Sequence, residues 1–362
     1  GSRLVLVDGR FAPELSTIEP MSGVWLGAMS AAIADRPDLV RAALDDRATG
    51  SLAAEDRAAG PGHPFALLNA AFFADGFALA IAPGRVLERP IEIVHLASGA
   101  EGALHTRSLV ALGAGSRAAI IETYAGPRGR AQRYWRNDVA VLRLGASAEL
   151  LRIALVEEAA AAAHLGDVAA SLGPAARLAL FAMLLGGGTV RQEASVAVTG
   201  EGAQCRLDGA FAVAGREEAN LVTTVDHRAP GGVTRELIKG VAAGRAHGAF
   251  QGRITVREGA QKVDAQQMSR NLIIGPRAVI DTKPELEIYA DDVKCSHGAS
   301  VGDLDEAALF YLRARGIAGD EARRLLLEGF IREAVERIDE PSLRAHLLTR
   351  LARRLASFEE GE

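Results

Sequence analysis

Leu112-Gly113-Ala114-Gly115-Ser116-Arg117-Ala118-Ala119-Ile120 is a short alternating segment with a glycine near its head, and its pattern returns three times. An apolar residue and a glycine are followed by two residues, then a small residue, then alternating apolar positions. The same order recurs from Leu144-Gly145 to Leu151, from Leu172-Gly173 to Leu180 and, slightly stretched, from Thr199-Gly200 to Leu207. Gly113, Gly145, Gly173 and Gly200 follow one another at intervals of 32, 28 and 27 residues. Near-periodic strands with a glycine at each corner predict stacked coils, a β-solenoid or β-helix. Glycine suits such a corner because the backbone there must turn with positive φ or approach its neighbour closely. An immunoglobulin-like sandwich also gives short strands and turns, but here period-two alternation runs from about residue 77 to 290 without a domain break.

Outward from that core the pattern changes at both ends. Residues 3–76 are predicted as a mixed N-terminal region, 77–297 as the β-helix and 298–362 as a C-terminal helical domain. In the first, strand-like Leu4–Val7 meets the turn Asp8-Gly9. Helical patterns follow at Gly27–Ala34, Pro37–Asp46 and Pro64–Phe73, the last with Pro at its start and Gly76 beyond its end. After Cys295 come helices over Asp303–Arg315, Gly319–Ile338 and Pro341–Leu355. The second has Leu325, Leu326, Phe330 and Val335 as its apolar stripe, and the third has Leu343, Leu347, Leu351 and Leu355. This unit is a candidate docking module that also caps the open end of the solenoid, as an exposed sheet end requires, with capping alone as the plainer reading. Phe310, Tyr311 and Phe330 are its candidate docking residues, being large apolar groups in a chain poor in aromatics.

Composition narrows the function. The chain has 362 residues, 49% hydrophobic but only 5% aromatic, which suits a narrow, layered interior of Ala, Leu, Val and Gly. A formal net charge of −5 gives no electrostatic case for nucleic acid. No apolar run is long enough for a membrane span. Two cysteines and no secretory signal fit a reducing, cytoplasmic compartment. Gly1-Ser2 reads as a tag remnant, which leaves open whether an N-terminal segment of the natural protein is missing. No G-x-x-x-x-G-K-[ST] loop is present, since Gly186-Gly187-Gly188-Thr189 lacks the lysine, and ATP hydrolysis by this chain alone is not expected.

One stretch carries ligand chemistry: Asp291-Asp292-Val293-Lys294-Cys295-Ser296-His297-Gly298. Before it, Leu286, Ile288 and Ala290 read as core-facing and Glu285, Glu287 and Tyr289 as outward. Continued unbroken, that register puts Asp291, Cys295 and His297 on the outward face. A thiolate and an imidazole side by side suit iron, zinc or copper, and Lys294 is placed to lower the thiol pKa. Two or three ligands from one strand do not close a tetrahedral site, so the rest must come from elsewhere, perforce another element or chain. The plainer reading is a surface Cys and His that happen to be neighbours. Cys205 reads as a buried small hydrophobe, His227 as a coil-end residue and His247 as structural. His63, His95, His105, His164 and His346 show no partner pattern.

The segment from Glu287 through Lys294-Cys295-Ser296-His297 to Gly302, followed by Leu304–Gly316, resembles the signature of the SufB/SufD family. Phe250–Val256, Ala265-Gln266-Gln267, Arg270-Asn271-Leu272, Asp281–Glu287 and Pro64–Phe73 look like the same family. The Lys-Cys-Ser-His form with Val-Gly-Asp-Leu-Asp-Glu after it is similar to the SufD branch. The resemblance implies a mainly β protein, a right-handed parallel β-helix flanked by N- and C-terminal α-helical segments. It implies a non-enzymatic scaffold subunit that pairs with a SufB-like paralogue and docks a SufC-like ABC-type ATPase through its C-terminal helices. The isolated chain is expected to hold no cofactor. A transient iron–sulfur cluster would form at the interface of the pair, with His297 and Cys295 at the family's ligand positions. Whether the isolated chain forms a homodimer stays open. A metal-dependent enzyme on a β-helix is the first rival, and a structural solenoid with an incidental Cys-Ser-His motif is the second.

Overall fold

The structure, a computed structural model, describes residues 1–44, 64–127 and 132–358; of the second predicted helix, residues 45 and 46 lie outside the described residues. Two long sheets face each other across a narrow interior. The first runs from Arg10–Phe11 and Arg3–Val7 through Ile91–Leu96, Arg117–Ala125, Glu149–Glu157, Arg177–Gly186, Gln204–Val213, Val233–Ala243 and Asp264–Ile274 to Lys294–Gly302. The second runs from Val24–Ala28 and Phe77–Ile81 through Gly102–Leu112, Tyr134–Leu144, Ala163–Leu172, Thr189–Val198, Glu218–His227 and His247–Val256 to Val279–Ile288. From Phe77–Ile81 onward consecutive strands alternate between sheets, and each pairs in parallel with the strand two places on, giving a parallel β-solenoid of about eight turns. The parallel ladders remove the sandwich, whose sheets would be antiparallel.

The N-terminal region contributes strands to both sheets. Arg3–Val7 pairs in parallel with Ile91–Leu96, and Asp8 and Gly9, both at positive φ, turn it back into Arg10–Phe11. The helical pattern predicted at Gly27–Ala34 is corrected: Val24–Ala28 is a strand, antiparallel to Phe77–Ile81, and the helix begins only at Met29. Pairing with a buried neighbour overrides local helical spacing there. Helices α1 (Met29–Asp35), α2 (Pro37–Leu44) and α3 (Pro64–Phe72) follow, and Met29, Ala32 and Val40 pack on Ala78, Leu109 and Val141.

The recurrent glycines stand at the corners, and they serve close approach rather than positive φ. Each corner amide donates to the coil before it, as in Gly145 N to Leu112 O at 2.9 Å and Gly173 N to Leu144 O at 2.9 Å. A Cβ on Gly200 would lie 2.0 Å from the Pro174 nitrogen. The positive φ falls two residues later, at Gly115, Ser147, Ala175 and Gly202.

The C-terminal helices α4 (Glu306–Ala314), α5 (Gly319–Val335) and α6 (Pro341–Ala356) do not cap the solenoid. They lie against the outer face of the first sheet. Leu327, Ile331, Val335, Leu343, Leu347, Leu351 and Leu355 join Ile153, Leu155, Phe181, Met183, Ala210, Ala212, Leu237 and Val241 in one apolar cluster. Ion pairs pin the contact: Arg337 to Asp208 at 3.1 Å, Lys239 to Glu333 at 2.5 Å and Arg350 to Glu157 at 2.8 Å. The predicted stripe of α6 is the buried one, but in α5 Leu325 is exposed and the packed residues are Ala322, Leu327, Ile331, Ala334 and Val335. The capping expectation is therefore corrected, and the last strand, Lys294–Gly302, keeps one edge free among the described strands.

Candidate functional site

The free edge decides what Cys295 and His297 can do. In the first sheet the register stacks inward-facing positions into columns. One column reads Ala118, Leu150, Leu178, Cys205, Thr234, Ala265, Cys295; the next reads Ile120, Arg152, Leu180, Leu207, Glu236, Gln267, His297. Every member above the last is buried. Cys295 is half-buried, packed against the same core, and His297 is exposed.

The outward placement read from the sequence is thus corrected. Strand Val279–Ile288 ends, a corner intervenes, and Lys294 begins a new strand in the other sheet, so alternation does not carry through. Leu286 and Ala290 do contact the core, while Ile288 shares their direction but is 43% exposed because no further coil covers it. Asp291 lies in the corner, apart from the row of Cys295 and His297. The expectation for Lys294 is also corrected: burial pushes the Cys295 thiol up, the Asp264 carboxylate adds to it, and a backbone hydrogen bond with Ala265 offsets them in part. The open end therefore offers two side-by-side donors, one thiol held protonated and one imidazole facing solvent. No group of three or more metal-holding His, Cys, Asp or Glu occurs among the described residues.

Of the candidate docking residues, Phe310 is 73% and Tyr311 56% exposed on α4, a helix with no buried residue. Phe330 differs: it is half-buried against the first sheet, with the Lys239 ammonium 4.0 Å from its ring centroid.

Sequence reading missed a charged network inside the solenoid. Arg152 holds Glu122 through two contacts of 2.7 Å, and the Tyr124 hydroxyl lies 2.6 Å from Glu122 and 2.8 Å from Asp138. Arg136 donates to Glu158 at 2.6 Å, and His164 Nδ1 lies 3.0 Å from the same carboxylate. His95 stacks on Tyr124 at 4.4 Å, and burial pulls it down to about 3. The signal was available: Arg136 and Asp138 sit on the alternation that continues as Ala140, Leu142 and Leu144, so they had to face inward. Elsewhere, Cys205 is buried as expected, and His227 closes its strand with Nε2 2.8 Å from Thr234 Oγ1.

This is a parallel β-solenoid whose last coil exposes a Cys–x–His pair on an unpaired edge. Residues 95–330 match the family model described as "SUF system FeS cluster assembly, SufBD core domain". Across 98% of its length the chain is 30% identical to the iron–sulfur cluster assembly protein SufD of Escherichia coli, covering 79% of that protein. It is 29% identical over 96% of its length to the SufBD family protein slr0076 of Synechocystis, covering 76% of that chain. Over 66% of its length it is 31% identical to the chloroplastic protein ABCI7 of Arabidopsis thaliana, covering 50% of that chain. The chain belongs to the SufBD family of iron–sulfur cluster assembly proteins.

Proposed function

We propose that this chain is a non-catalytic scaffold subunit for iron–sulfur cluster assembly, in a cytoplasmic complex with a SufB-like paralogue and a SufC-like ATPase. The observation that carries this reading is the open final coil. Strand Lys294–Gly302 has a free edge, which is a template for a strand of another chain. Beside that edge stand two donors, too few to close a site, so the nascent cluster, as cargo, takes its remaining ligands from the partner. A neutral imidazole is a good iron ligand, and the Cys295 thiol, pushed up by burial, is the weaker donor of the two. The exposed pair Phe310 and Tyr311 on α4 forms the ATPase-docking surface, remote in chain position from the buried stripe that fixes the helices. The test is anaerobic purification of the complex from the native cell: iron and acid-labile sulfide should accompany this chain only together with the SufB-like subunit. Cluster bound stoichiometrically by the isolated chain would overturn the shared-site reading.

A further inference from the structure

Directly above His297 in its column lies Gln267, 1% exposed, and above that Glu236, 3% exposed. The Gln267 amide donates from Nε2 to Glu236 Oε2 at 2.5 Å. That bond sets the direction of the amide, its NH2 end toward the Glu236 carboxyl, whose pKa burial pushes up to about 7. The opposite end, Oε1, is buried and has no hydrogen-bond partner. A buried carbonyl oxygen without a donor has lost its hydration and gained nothing in return, so an unfilled acceptor here calls for a donor. Space for the amide is built in: a Cβ on Gly252, in the facing sheet, would lie 2.1 Å from Gln267 Nε2. The side chain next along the column is the imidazole of His297, whose ring nitrogens are N–H donors as well as ligands.

We propose that Gln267, locked by Glu236, is a positioning residue for His297: its free carbonyl accepts the imidazole N–H, selects one tautomer and leaves the other ring nitrogen for the cluster. The reasoning is that of metal-bound histidines generally, which donate their second N–H to a carbonyl or carboxylate. It rests on the reading of His297 as a cluster ligand, but forming the proposed hydrogen bond needs no cluster. Gln267 thereby acts through His297 and touches no cargo.

The test is nitrogen-15 NMR of the full chain labelled at histidine, with His297 assigned by comparison with His297→Ala. In the wild type the two ring nitrogens of His297 should be well separated, as for one fixed tautomer. In Gln267→Met, which keeps the volume and removes the acceptor, they should draw together toward the averaged values of a free imidazole. Should that variant not fold, Glu236→Gln serves: a carboxamide can present either end to Gln267, so the lock loosens and the separation should shrink in the same direction. Complexes carrying Gln267→Met should retain cluster about 10-fold less tightly. Unchanged ring-nitrogen resonances in a folded Gln267→Met chain would overturn the inference while leaving His297 free to be a ligand. A fixed tautomer in a chain whose His297→Ala variant still builds clusters would instead overturn the ligand assignment and leave the hydrogen bond standing.

Discussion

His297 pairs in register with Gln267, yet one is exposed and the other is buried. The difference is position in the stack, since both face inward. Each coil covers the side chains of the coil before it, and among the described residues no further strand follows the last coil to cover its own. A β-solenoid that simply stops therefore turns core positions into a surface, and places on it whatever residues the final strand carries. Here those residues are a thiol and an imidazole.

Corner geometry gives a stability test. Gly200 sits where a Cβ would meet the Pro174 nitrogen at 2.0 Å, so Gly200→Ala must move backbone and should cost at least about 1–3 kcal/mol. Ala175, in the preceding corner, has φ +53°, and Ala175→Gly should stabilise by roughly 0.5–1 kcal/mol, relief of left-handed strain outweighing the added chain entropy. Urea midpoints of the two variants should move in opposite directions. Equal destabilisation would mean that the corner tolerates neither change and that φ is not the controlling variable.

Acid sensitivity should trace to His95. Its folded pKa is pulled by burial from 6.5 to about 3, so the folded protein holds it neutral while the unfolded chain protonates it below about 6.5. Its contribution is present above that pH and is lost as pH falls toward 3, at up to about 1.4 kcal/mol per unit for one proton. His95→Phe keeps a ring on Tyr124 and cannot take the proton, so its stability should fall less steeply between pH 6 and 4. Parallel pH profiles for variant and wild type, from denaturant titrations, would remove His95 as the cause.

Docking can be probed without disturbing the fold. Removing residues 303–362 would strip the cover from Ile153, Leu155, Phe181 and Met183, so aggregation of that truncation would say nothing about partners. Phe310→Ala with Tyr311→Ala removes two exposed rings from a helix without buried residues, and the melting temperature should hold. Binding of the ATPase, measured by co-purification or calorimetry, should weaken at least 10-fold. Full binding by the double variant would move the docking surface elsewhere.

How much of this could be read from the sequence follows from what local pattern encodes. The corners declared themselves because Gly113, Gly145, Gly173 and Gly200 recur at nearly the length of one coil. Leu343, Leu347, Leu351 and Leu355 marked the buried face of α6 for the same reason, a regular spacing. The candidate residues Cys295 and His297 were picked by type and neighbourhood, but their facing was misread, because the corner between Ile288 and Lys294 resets the alternation. The inner network was invisible as a network: Glu122, Asp138 and Glu158 come together only once consecutive coils are stacked, although each stood individually on an inward position or a coil end. That the C-terminal helices lie along the sheet shows only in long-range contacts, such as Leu347 and Leu351 with Phe181 and Met183 in one apolar cluster and Arg337 with Asp208, separations no local pattern spans.

The most direct measurement of the central claim is cluster accumulation by complexes carrying His297→Ala. An exposed side chain on the last strand contributes little to folding, so the variant should fold and pair with its SufB-like partner as the wild type does. Cys295→Ser should do less damage, since that thiol is half-buried and held protonated. Iron and acid-labile sulfide in the His297→Ala complex should fall to background while subunit stoichiometry is unchanged; wild-type cluster content in that complex would contradict the assignment of His297 as a ligand.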